Sequence, residues 1–240
     1  MTKNIAHRGW SEKYPENTIL AFEKAIEVGC DGIEFDVQLT KDGHVVIIHD
    51  EDIRRTTNGM GLVKDYTLEE IQKFDASGKF KGYYGIHRIP TLEEYFETVK
   101  EHNLITNIEL KTGMIMYEGI EEKVIQLIKQ YRQEEQVIIS SFNHYSIMEC
   151  KKLAPHIKCG FLVGDGLYRP GKYTKERGVE YIHPRYQMLK DEVIDEIKMH
   201  GIKINTWTVN AENMMEELIR KGIEGIITDS PQKLASLIAR

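Results

Sequence analysis

Three short segments in the first half of the chain carry side chains that could hold a cation, bind a phosphate and transfer protons. They are His7-Arg8-Gly9, then Glu34-Phe35-Asp36 with His49-Asp50 beyond it, and Glu109-Leu110-Lys111. Each lies at the carboxyl end of an apolar run that is typical of a β-strand. If these strands share one parallel sheet, two histidines, three carboxylates, an arginine and a lysine meet at the same edge.

The acidic residues indicate a cation site. Glu34 and Asp36 are two residues apart in a run that predicts a buried parallel strand, so both side chains point to one face. Two carboxylates on such a face are costly unless they are paired or bind a metal ion. Glu109 repeats the pattern on the next barrel strand, where the alternative is a salt bridge with Lys111. Three oxygen donors favour Mg²⁺ or Ca²⁺, with Mn²⁺ or Zn²⁺ as alternatives.

His7 and His49 are the candidate general acid and general base, because the imidazole pKa lies near neutrality. Taken singly, each is more often a packed or hydrogen-bonded histidine at a strand end. Their place beside three carboxylates favours catalysis. Arg8 offers a planar fork that suits phosphate oxygens, and the alternative is a surface ion pair.

Short apolar runs alternate with longer amphipathic stretches, which predicts a parallel sheet covered by helices. The predicted strands are Ile5–His7, Gly32–Thr40, Val45–His49, Thr106–Leu110, Val137–Ser141, Cys159–Val163, Tyr181–His183, Ile204–Val209 and Gly225–Thr228. The predicted helices are Thr18–Val28 with Asn17 as its cap, Thr91–His102, Tyr117–Tyr131, His144–Leu153, Lys190–His200 and Glu212–Lys221.

Nine strands are one too many for an eight-stranded barrel, and a short connection indicates which strand is extra. Only Lys41-Asp42-Gly43-His44 separates the second strand from the third, and so short a link permits only an antiparallel hairpin. If the turn has two residues, Asp36 faces His49 across the hairpin, whereas a longer loop shifts this by one residue. The other eight strands predict a (β/α)₈ barrel, an α/β fold of the TIM-barrel class.

Residues 51 to 89 break the alternation of strands and helices. The segment is rich in Gly, Thr, Lys and Tyr, with one short helix near Thr67–Phe74. We interpret Glu51–Ile89 as a small insertion over the barrel mouth, and the alternative is a flexible spacer. Residues 1–240 then form a single catalytic barrel domain.

Composition limits the partners and the compartment. Acidic residues outnumber basic ones by 38 to 32 and give a net charge of −6, which argues against a nucleic-acid or anionic-membrane surface. The cysteines, Cys30, Cys150 and Cys159, lack metal-site spacing and are interpreted as reduced thiols. Without a signal-like start or a long apolar run, we expect a cytoplasmic protein with no stable membrane insertion. The oligomeric state is not indicated.

An ordered series of motifs carries a resemblance to a known family. The motifs are His7-Arg8-Gly9, Pro15-Glu16-Asn17-Thr18, Glu34-Phe35-Asp36-Val37, Asp42-Gly43, His49-Asp50, Glu109-Leu110-Lys111, Thr206-Trp207-Thr208-Val209-Asn210 and Gly225-Ile226-Ile227-Thr228-Asp229. Together they closely resemble the glycerophosphodiester phosphodiesterases, from residue 5 to about 232. The resemblance implies a barrel of the phospholipase C-like phosphodiesterase type, with a small insertion after the second histidine.

The resemblance also implies a role for each matched residue at the centre of the site. Glu34, Asp36 and Glu109 would be the ligands of one divalent metal ion, Mg²⁺ or Ca²⁺ with Mn²⁺ as an alternative. His7 and His49 would be the acid–base pair.

The remaining matched residues would bind or position the substrate. By the same resemblance, Arg8 and Lys111 would hold the phosphate. Glu16 and Asn17 would support the first loop, and Asn17 is also a candidate substrate contact. Trp207 would line the pocket, and its alternative is a plain core aromatic.

The implied reaction is hydrolysis of a small-molecule glycerophosphodiester, such as glycerophosphocholine or glycerophosphoethanolamine, to sn-glycerol 3-phosphate and an alcohol. The nucleophile is either the substrate's own 2-hydroxyl, which gives a cyclic phosphate, or water. One alternative is a lysophospholipase D-like or lyase activity on a similar barrel, whose secreted members depend on disulfides and lack a sizeable insertion. A second is a phosphate-binding protein without catalysis, which would not need the full set of histidines and carboxylates.

Overall fold

Eight parallel strands close into a barrel in the computed structural model, which describes residues 1–239. The strands of the chain are β1 (Lys3–His7), β2 (Gly32–Leu39), β3 (Val45–Ile47), β4 (Ile105–Leu110), β5 (Val137–Ser141), β6 (Lys158–Val163), β7 (Tyr181–Pro184), β8 (Lys203–Thr206) and β9 (Gly225–Thr228). The order is β1-β9-β8-β7-β6-β5-β4-β2, and β1 pairs with β2 to close the ring. The predicted (β/α)₈ barrel is confirmed.

Helices cover the outside of the barrel. They are α1 (Ile19–Glu27), α2 (Leu68–Ile71), α3 (Leu92–Val99), α4 (Ile120–Gln130), α5 (His144–Leu153), α6 (Pro170–Glu176), α7 (Asp191–Met199), α8 (Glu212–Arg220) and α9 (Pro231–Ile238). Two of these, α6 and α9, were not predicted. All of them except α2, which belongs to the insertion, bury their apolar faces against the strands in one continuous core.

The predicted cap of α1 is wrong by one residue. Thr18, not Asn17, has the extended backbone of a cap, and its hydroxyl accepts the backbone N–H of Ala21. Asn17 has a left-handed backbone with φ 57°, and its side chain turns towards β2 instead.

The hairpin between β2 and β3 is antiparallel, as predicted, but its register differs from the prediction by one residue. Val37 pairs with Ile47 and Leu39 with Val45, so Asp36 faces Ile48 and not His49. The cause is a three-residue loop, Lys41–Gly43, in place of a two-residue turn. Gly43 has φ 80°, a conformation that suits glycine and closes such a loop after a tight turn.

The segment between β3 and α3 forms the insertion and has a small core of its own. Residues from Val46 to Ile89 contribute an apolar cluster separate from the main core. The predicted short helix is present as α2, with Thr67 and Glu70 forming a capping box. The insertion packs beside the hairpin and brings Arg55 and Lys79 to the barrel mouth.

The parallel arrangement places the carboxyl ends of the barrel strands at one mouth. His7 ends β1, Glu109 is the last residue but one of β4, and Asp229 follows β9. The prediction that Glu34 and Asp36 lie at the end of their strand is wrong, because β2 continues into the hairpin. They pair in register with His7 and Glu109 and so lie at the same level. No helix formed by residues 1–239 combines the length and apolar character needed to cross a membrane.

Candidate active site

Three carboxylates lie together on the inner wall of the barrel at its mouth. Asp36 on β2 pairs in register with Glu109 on β4, and Glu34 lies two residues before Asp36 on the same face. One carboxylate oxygen from each of the three lies within 4.8 Å of the others, and all three side chains are buried. Such a cluster can hold a divalent cation.

Burial and mutual repulsion make two of these carboxylates hard to ionise. Burial raises the pKa of Glu34 well above its ordinary value, and the neighbouring charges of Asp36 and Glu109 add to the effect. Burial and the charge of Asp36 raise the pKa of Glu109 to about 7. Burial alone would also raise the pKa of Asp36, but the charges of Arg8 and Lys111 outweigh it and hold that pKa well below its usual range. The cluster therefore attracts positive charge.

The two histidines flank the carboxylates, and each is held by an acidic partner. Nδ1 of His7 lies 2.6 Å from Oδ1 of Asp229, and Nδ1 of His49 lies 2.5 Å from Oδ1 of Asp50. An Nδ1–H that donates to a carboxylate leaves Nε2 as the atom that can exchange a proton with a substrate. Nε2 of His7 lies 3.9 Å from Oε2 of Glu34.

Nε2 of His49 accepts a hydrogen bond from Nζ of Lys111 at 3.2 Å. Burial lowers the pKa of His49, and the positive charges of Arg8 and Lys111 lower it further, against the opposite effect of Asp36. Burial and the neighbouring cations therefore favour the neutral imidazole, whose Nε2 lone pair accepts the hydrogen bond from Lys111.

The acidic partners of the histidines were missed by the sequence reasoning. Asp229 also accepts hydrogen bonds from Ser11 Oγ at 3.0 Å and Asn210 Nδ2 at 2.6 Å, which fix it beneath His7. Its position directly after β9 was the available signal, because that residue must lie at the same mouth as the end of β1. For Asp50 the available signal was its place next to His49 in the sequence.

Arg8 and Lys111 place positive charge beside the carboxylates. Nη1 of Arg8 donates to Oε1 of Glu16 at 2.7 Å, and its Nε lies 3.4 Å from Oδ2 of Asp36. Nζ of Lys111 donates to Oε1 of Glu109 at 2.9 Å and lies 3.8 Å from Oδ1 of Asp36. Both groups keep their charge, since their acidic partners raise the pKa of each against the effect of burial.

The turn after β1 that presents Arg8 requires the glycine that follows it. Arg8 and Gly9 both have left-handed backbones, with φ 56° and 79°. A Cβ atom on Gly9 would lie 2.6 Å from the backbone carbon of Ala21, so a larger residue would push the turn away from α1.

Arg55, from the insertion, is a second residue that the sequence reasoning missed. Its guanidinium donates to both carboxylate oxygens of Glu16, at 2.7 and 2.9 Å, and to Asp50 at 2.5 and 3.2 Å. Because Glu16 holds Arg8 and Asp50 holds His49, this one side chain connects the insertion to both. Nothing in the spacing of Arg54-Arg55 indicated the contact, since it depends on how the insertion folds back.

Asn17 and Trp207 occupy different parts of the site. Nδ2 of Asn17 donates to Oδ2 of Asp36 at 3.0 Å, so this amide supports a carboxylate of the cluster. Trp207 donates through Nε1 to the carbonyl of His183 at 2.7 Å, and its ring meets Phe142 edge-on with centroids 5.4 Å apart.

Two cavities meet at His7 and Arg8. The first, of about 90 Å³, is lined by the residues His7, Arg8, Glu34, His49, Asn107, Glu109, Phe142, Leu162, Trp207, Thr208 and Ile227. The second, of about 310 Å³, is lined by His7, Arg8, Ser11, Glu12, Glu16, Lys79, Asn210, Asp229 and Ser230. The first has one apolar wall and one charged wall, whereas the second is polar and open, so a molecule with a central anion could extend into both.

Comparison with known proteins gives one consistent result. The model of the glycerophosphoryl diester phosphodiesterase family matches residues 7–233. A glycerophosphodiester phosphodiesterase from Caldanaerobacter subterraneus subsp. tengcongensis is 51% identical over 236 residues, which are 98% of this chain and 97% of that protein. Another, from Bacillus altitudinis, is 43% identical over 240 residues, 99% of this chain and 98% of that one.

A solved structure shares both the fold and part of the sequence. It is an Oleispira antarctica phosphodiesterase in complex with the product sn-glycerol-3-phosphate, with a TM-score of 0.90 and 32% identity. The match covers 98% of this chain and 96% of that one.

Proposed function

The chain belongs to the glycerophosphoryl diester phosphodiesterase family, and we propose that it hydrolyses small glycerophosphodiesters, such as glycerophosphocholine or glycerophosphoethanolamine, to sn-glycerol 3-phosphate and an alcohol. The observation that carries this proposal is the pair of histidines held by carboxylates. His7 and His49 each engage an acidic partner at Nδ1. Nε2 of His7 lies 3.9 Å from Glu34, and Nε2 of His49 meets Lys111, which in turn donates to Glu109 of the three-carboxylate cluster. The glycerol 3-phosphate bound to the Oleispira antarctica phosphodiesterase agrees with the proposed product.

We propose that Glu34, Asp36 and Glu109 hold one divalent cation, Mg²⁺ or Ca²⁺, with Mn²⁺ as the alternative. The donor set fits such an ion, since two oxygens on opposite sides of Ca²⁺ at about 2.4 Å would be about 4.8 Å apart. Oε2 of Glu34 is buried and accepts no hydrogen bond from residues 1–239, so it is available as a ligand. When bound, the cation would offset the negative charge that grows on the phosphate oxygens.

Arg8 and Lys111 are the proposed phosphate-binding residues. Arg8 borders both cavities, and Lys111 lies between His49 and Glu109. A phosphate placed between them would have one guanidinium and one ammonium group on its oxygens. The two charges would hold the phosphorus between Nε2 of His7 and Nε2 of His49.

Proton transfer then follows from the two Nε2 atoms. One histidine takes the proton of the attacking hydroxyl, as the new P–O bond forms. The other histidine starts as an imidazolium, with a proton on Nε2 as well as on Nδ1. The P–O bond to the alcohol breaks, and the leaving alkoxide takes the Nε2 proton of that imidazolium. Asp229 and Asp50 keep the Nδ1–H tautomers in place and stabilise each imidazolium when it forms. The nucleophile is either water or the substrate's 2-hydroxyl. In the second case the first step gives a cyclic phosphate, and water then opens it to glycerol 3-phosphate.

Side chains around the centre would select the substrate. Trp207 and Phe142 form an apolar wall against which the carbon atoms of glycerol would pack. Asn17 donates a hydrogen bond to Asp36 and would act mainly by holding that carboxylate in place. A contact between Asn17 and the substrate would be a second role. We propose that the insertion, through Arg55 and Lys79, shapes the polar cavity on the other side of Arg8 and so influences the choice of alcohol.

A direct assay tests the proposed reaction. The purified protein is incubated with glycerophosphocholine and Mg²⁺ or Ca²⁺, and glycerol 3-phosphate and choline are measured. Equal amounts of the two products are expected, and a His7→Ala/His49→Ala double variant serves as the control. Lysophosphatidylcholine is the second substrate, and its preferential cleavage would favour the lysophospholipase D-like alternative. Absence of turnover on both would contradict the proposal.

Chelation and a single isosteric substitution test the cation. Activity should vanish after exhaustive chelation and return with Mg²⁺, Ca²⁺ or Mn²⁺. Glu109→Gln should weaken cation binding because it removes one anionic ligand. Full activity in the chelated enzyme would contradict the cation site, and unchanged affinity in Glu109→Gln would make Glu109 a salt-bridge partner of Lys111 only.

We also propose a cytoplasmic location. All three cysteines are free thiols that lie buried, as suits a reducing compartment. Fractionation of cells that produce the protein tests this.

A further inference from the structure

Asn107 stands beside the three carboxylates in the register of the barrel. On the neighbouring parallel strands, Glu34 pairs with Asn107 and Asp36 pairs with Glu109. Residues that pair in this way, and residues two apart on one strand, direct their side chains to the same face. The four side chains therefore form a two-by-two array on the inner wall, of which only Asn107 is not acidic.

The amide of Asn107 is buried, with its nitrogen engaged and its oxygen left without a donor. The residue is 1% exposed and lines the same cavity as Glu34 and Glu109. Nδ2 donates to Oγ of Ser140 on β5, at 3.3 Å, on the side away from β2. Within the part of the chain that the structure describes, Oδ1 has no hydrogen-bond partner.

Two buried acceptors without donors, Oδ1 of Asn107 and Oε2 of Glu34, thus belong to residues that pair in register and line one small cavity. A buried oxygen without a donor is destabilising. A cation that both could bind would remove both costs. Amide oxygens are regular ligands of Ca²⁺ and occur with carboxylates in the same sites.

We propose that Asn107 supplies a fourth protein oxygen, Oδ1, to the cation held by Glu34, Asp36 and Glu109. This rests on the cation of the proposed function and adds a ligand to it. A neutral fourth oxygen suits the local charge, because the three carboxylates already outnumber the two permanent cations beside them, Arg8 and Lys111. A fourth carboxylate at this position would add repulsion to the cation-free protein, and a bound cation would relieve that repulsion.

A purely structural role for Asn107 makes a different prediction. If the side chain only anchors Ser140, its replacement should change the stability of the fold and leave cation affinity unchanged. If Oδ1 is a ligand, affinity should depend on the oxygen and on its charge. Asn107→Leu keeps the size and removes the oxygen, whereas Asn107→Asp keeps the shape and adds a charge.

Cation binding to the chelated full-length protein is measured by titration calorimetry with Ca²⁺ and with Mg²⁺, and by the shift in Tm that each ion produces. Asn107→Leu is expected to bind at least roughly 10-fold more weakly than the parent protein. Asn107→Asp is expected to bind roughly 10-fold more tightly, because a ligand's charge raises affinity. The Tm shift should fall in the first variant and rise in the second.

Two further variants serve as controls. Asn205→Leu replaces another buried asparagine, which lies on β8 beside His183, and should leave the affinity as it is. Asn107→Ala serves if the leucine variant does not fold, as judged by circular dichroism, and should also bind at least roughly 10-fold more weakly.

Failure of this inference can be told apart from failure of the proposed function. If the parent protein gives neither binding heat nor a Tm shift, the cation site itself is wrong, and Asn107 is not a ligand. If the parent protein binds the ion and the Asn107 variants bind it with equal affinity, the three carboxylates stand and the fourth ligand is overturned.

Discussion

Each histidine of the proposed mechanism depends on one carboxylate at its Nδ1 atom. His49 is held by Asp50, the next residue in the sequence, whereas His7 is held by Asp229, which lies near the other end of the chain. The sequence predicted the histidines because their residue type suits proton transfer. It did not predict the pairing of His7 with Asp229, because β1 and β9 become neighbours only when the barrel closes.

The paired histidines should be individually necessary and mutually dependent. General acid–base catalysis contributes about 10²–10⁴-fold, so His7→Ala and His49→Ala should each lower kcat by about that factor. Since both act on one reaction coordinate, the double variant should lose much less than the product of the two losses. Steady-state kinetics with glycerophosphocholine measures this. Losses that multiply would mean that the two residues act independently, and a fully active single variant would remove that residue from the mechanism.

Asp50→Asn should change the pH dependence as well as the rate. The hydrogen bond from His49 to the Asp50 carboxylate stabilises the imidazolium and raises the pKa of His49, against the lowering effect of burial. Without the negative charge that pKa should fall, so the limb of the kcat/KM profile that reports His49 moves to lower pH. The measurement is kcat/KM across the pH range.

Asp52→Asn is the matched control for this substitution. Asp52 lies two residues further along and pairs with Arg54 rather than with His49. Its variant should keep the parent profile. If Asp50→Asn lowers the rate while the profile stays in place, Asp50 acts on packing and not on the ionisation of His49.

The strands were predictable as elements because the apolar runs are short, β-rich and separated by turn residues. The bounds of β5 and β9 agree with the prediction at both ends. The hairpin register was not predictable, since Asp42-Gly43 fits both a two-residue and a three-residue loop and only the folded turn selects one. The short helix α6 was missed because seven residues beginning at Pro170 give too little periodicity to recognise.

The tip of the insertion should affect substrate choice without supporting the barrel. Lys79 borders the cavity next to His7 and Arg8, while the ends of the tip are already joined. Oγ of Ser77 donates to the carbonyl of Gly85 at 3.0 Å. Replacing residues 79–84 by a short Gly-Ser link should therefore leave the fold intact and raise KM for glycerophosphocholine.

The comparison needed is the ratio of kcat/KM for glycerophosphocholine and a lysophospholipid, before and after trimming, with circular dichroism of both proteins. Lys79→Ala is the matched single variant, which isolates the charge from the length of the tip. A constant ratio in a folded, trimmed protein would place specificity in the later loops.

The inside of the barrel is partly polar, and its polar contacts form only when strands from distant parts of the chain close the ring. Nδ2 of Asn107 donates a hydrogen bond to Oγ of Ser140, and Nδ2 of Asn205 lies 3.5 Å from Nε2 of His183. All four residues are buried. Isolated polar residues in β-rich runs do not reveal which face they take or what they meet. Closure of the ring brings them together, so the sequence predicted the barrel and not its interior contacts.

His183 should make the molecule sensitive to acid. The side chain is fully buried against Gly160, and burial lowers its pKa from 6.5 to about 3. Between these values the unfolded chain binds a proton that the folded protein excludes, so stability is present above about pH 6.5 and is lost as the pH falls. From about pH 7.5 to about pH 5, this one group should cost about 2 kcal/mol of unfolding free energy.

Urea unfolding of the parent protein and of His183→Leu, at both pH values, measures this contribution. The leucine variant should lose less stability on acidification, by about 2 kcal/mol, whatever its stability at the higher pH. His156→Gln, which removes an exposed histidine, should behave as the parent does. Burial alone lowers this pKa, with no contribution from a charged group among residues 1–239, so the difference should depend little on added salt. Equal losses in the parent and in His183→Leu would mean that His183 is protonated within the fold, with its charge stabilised there.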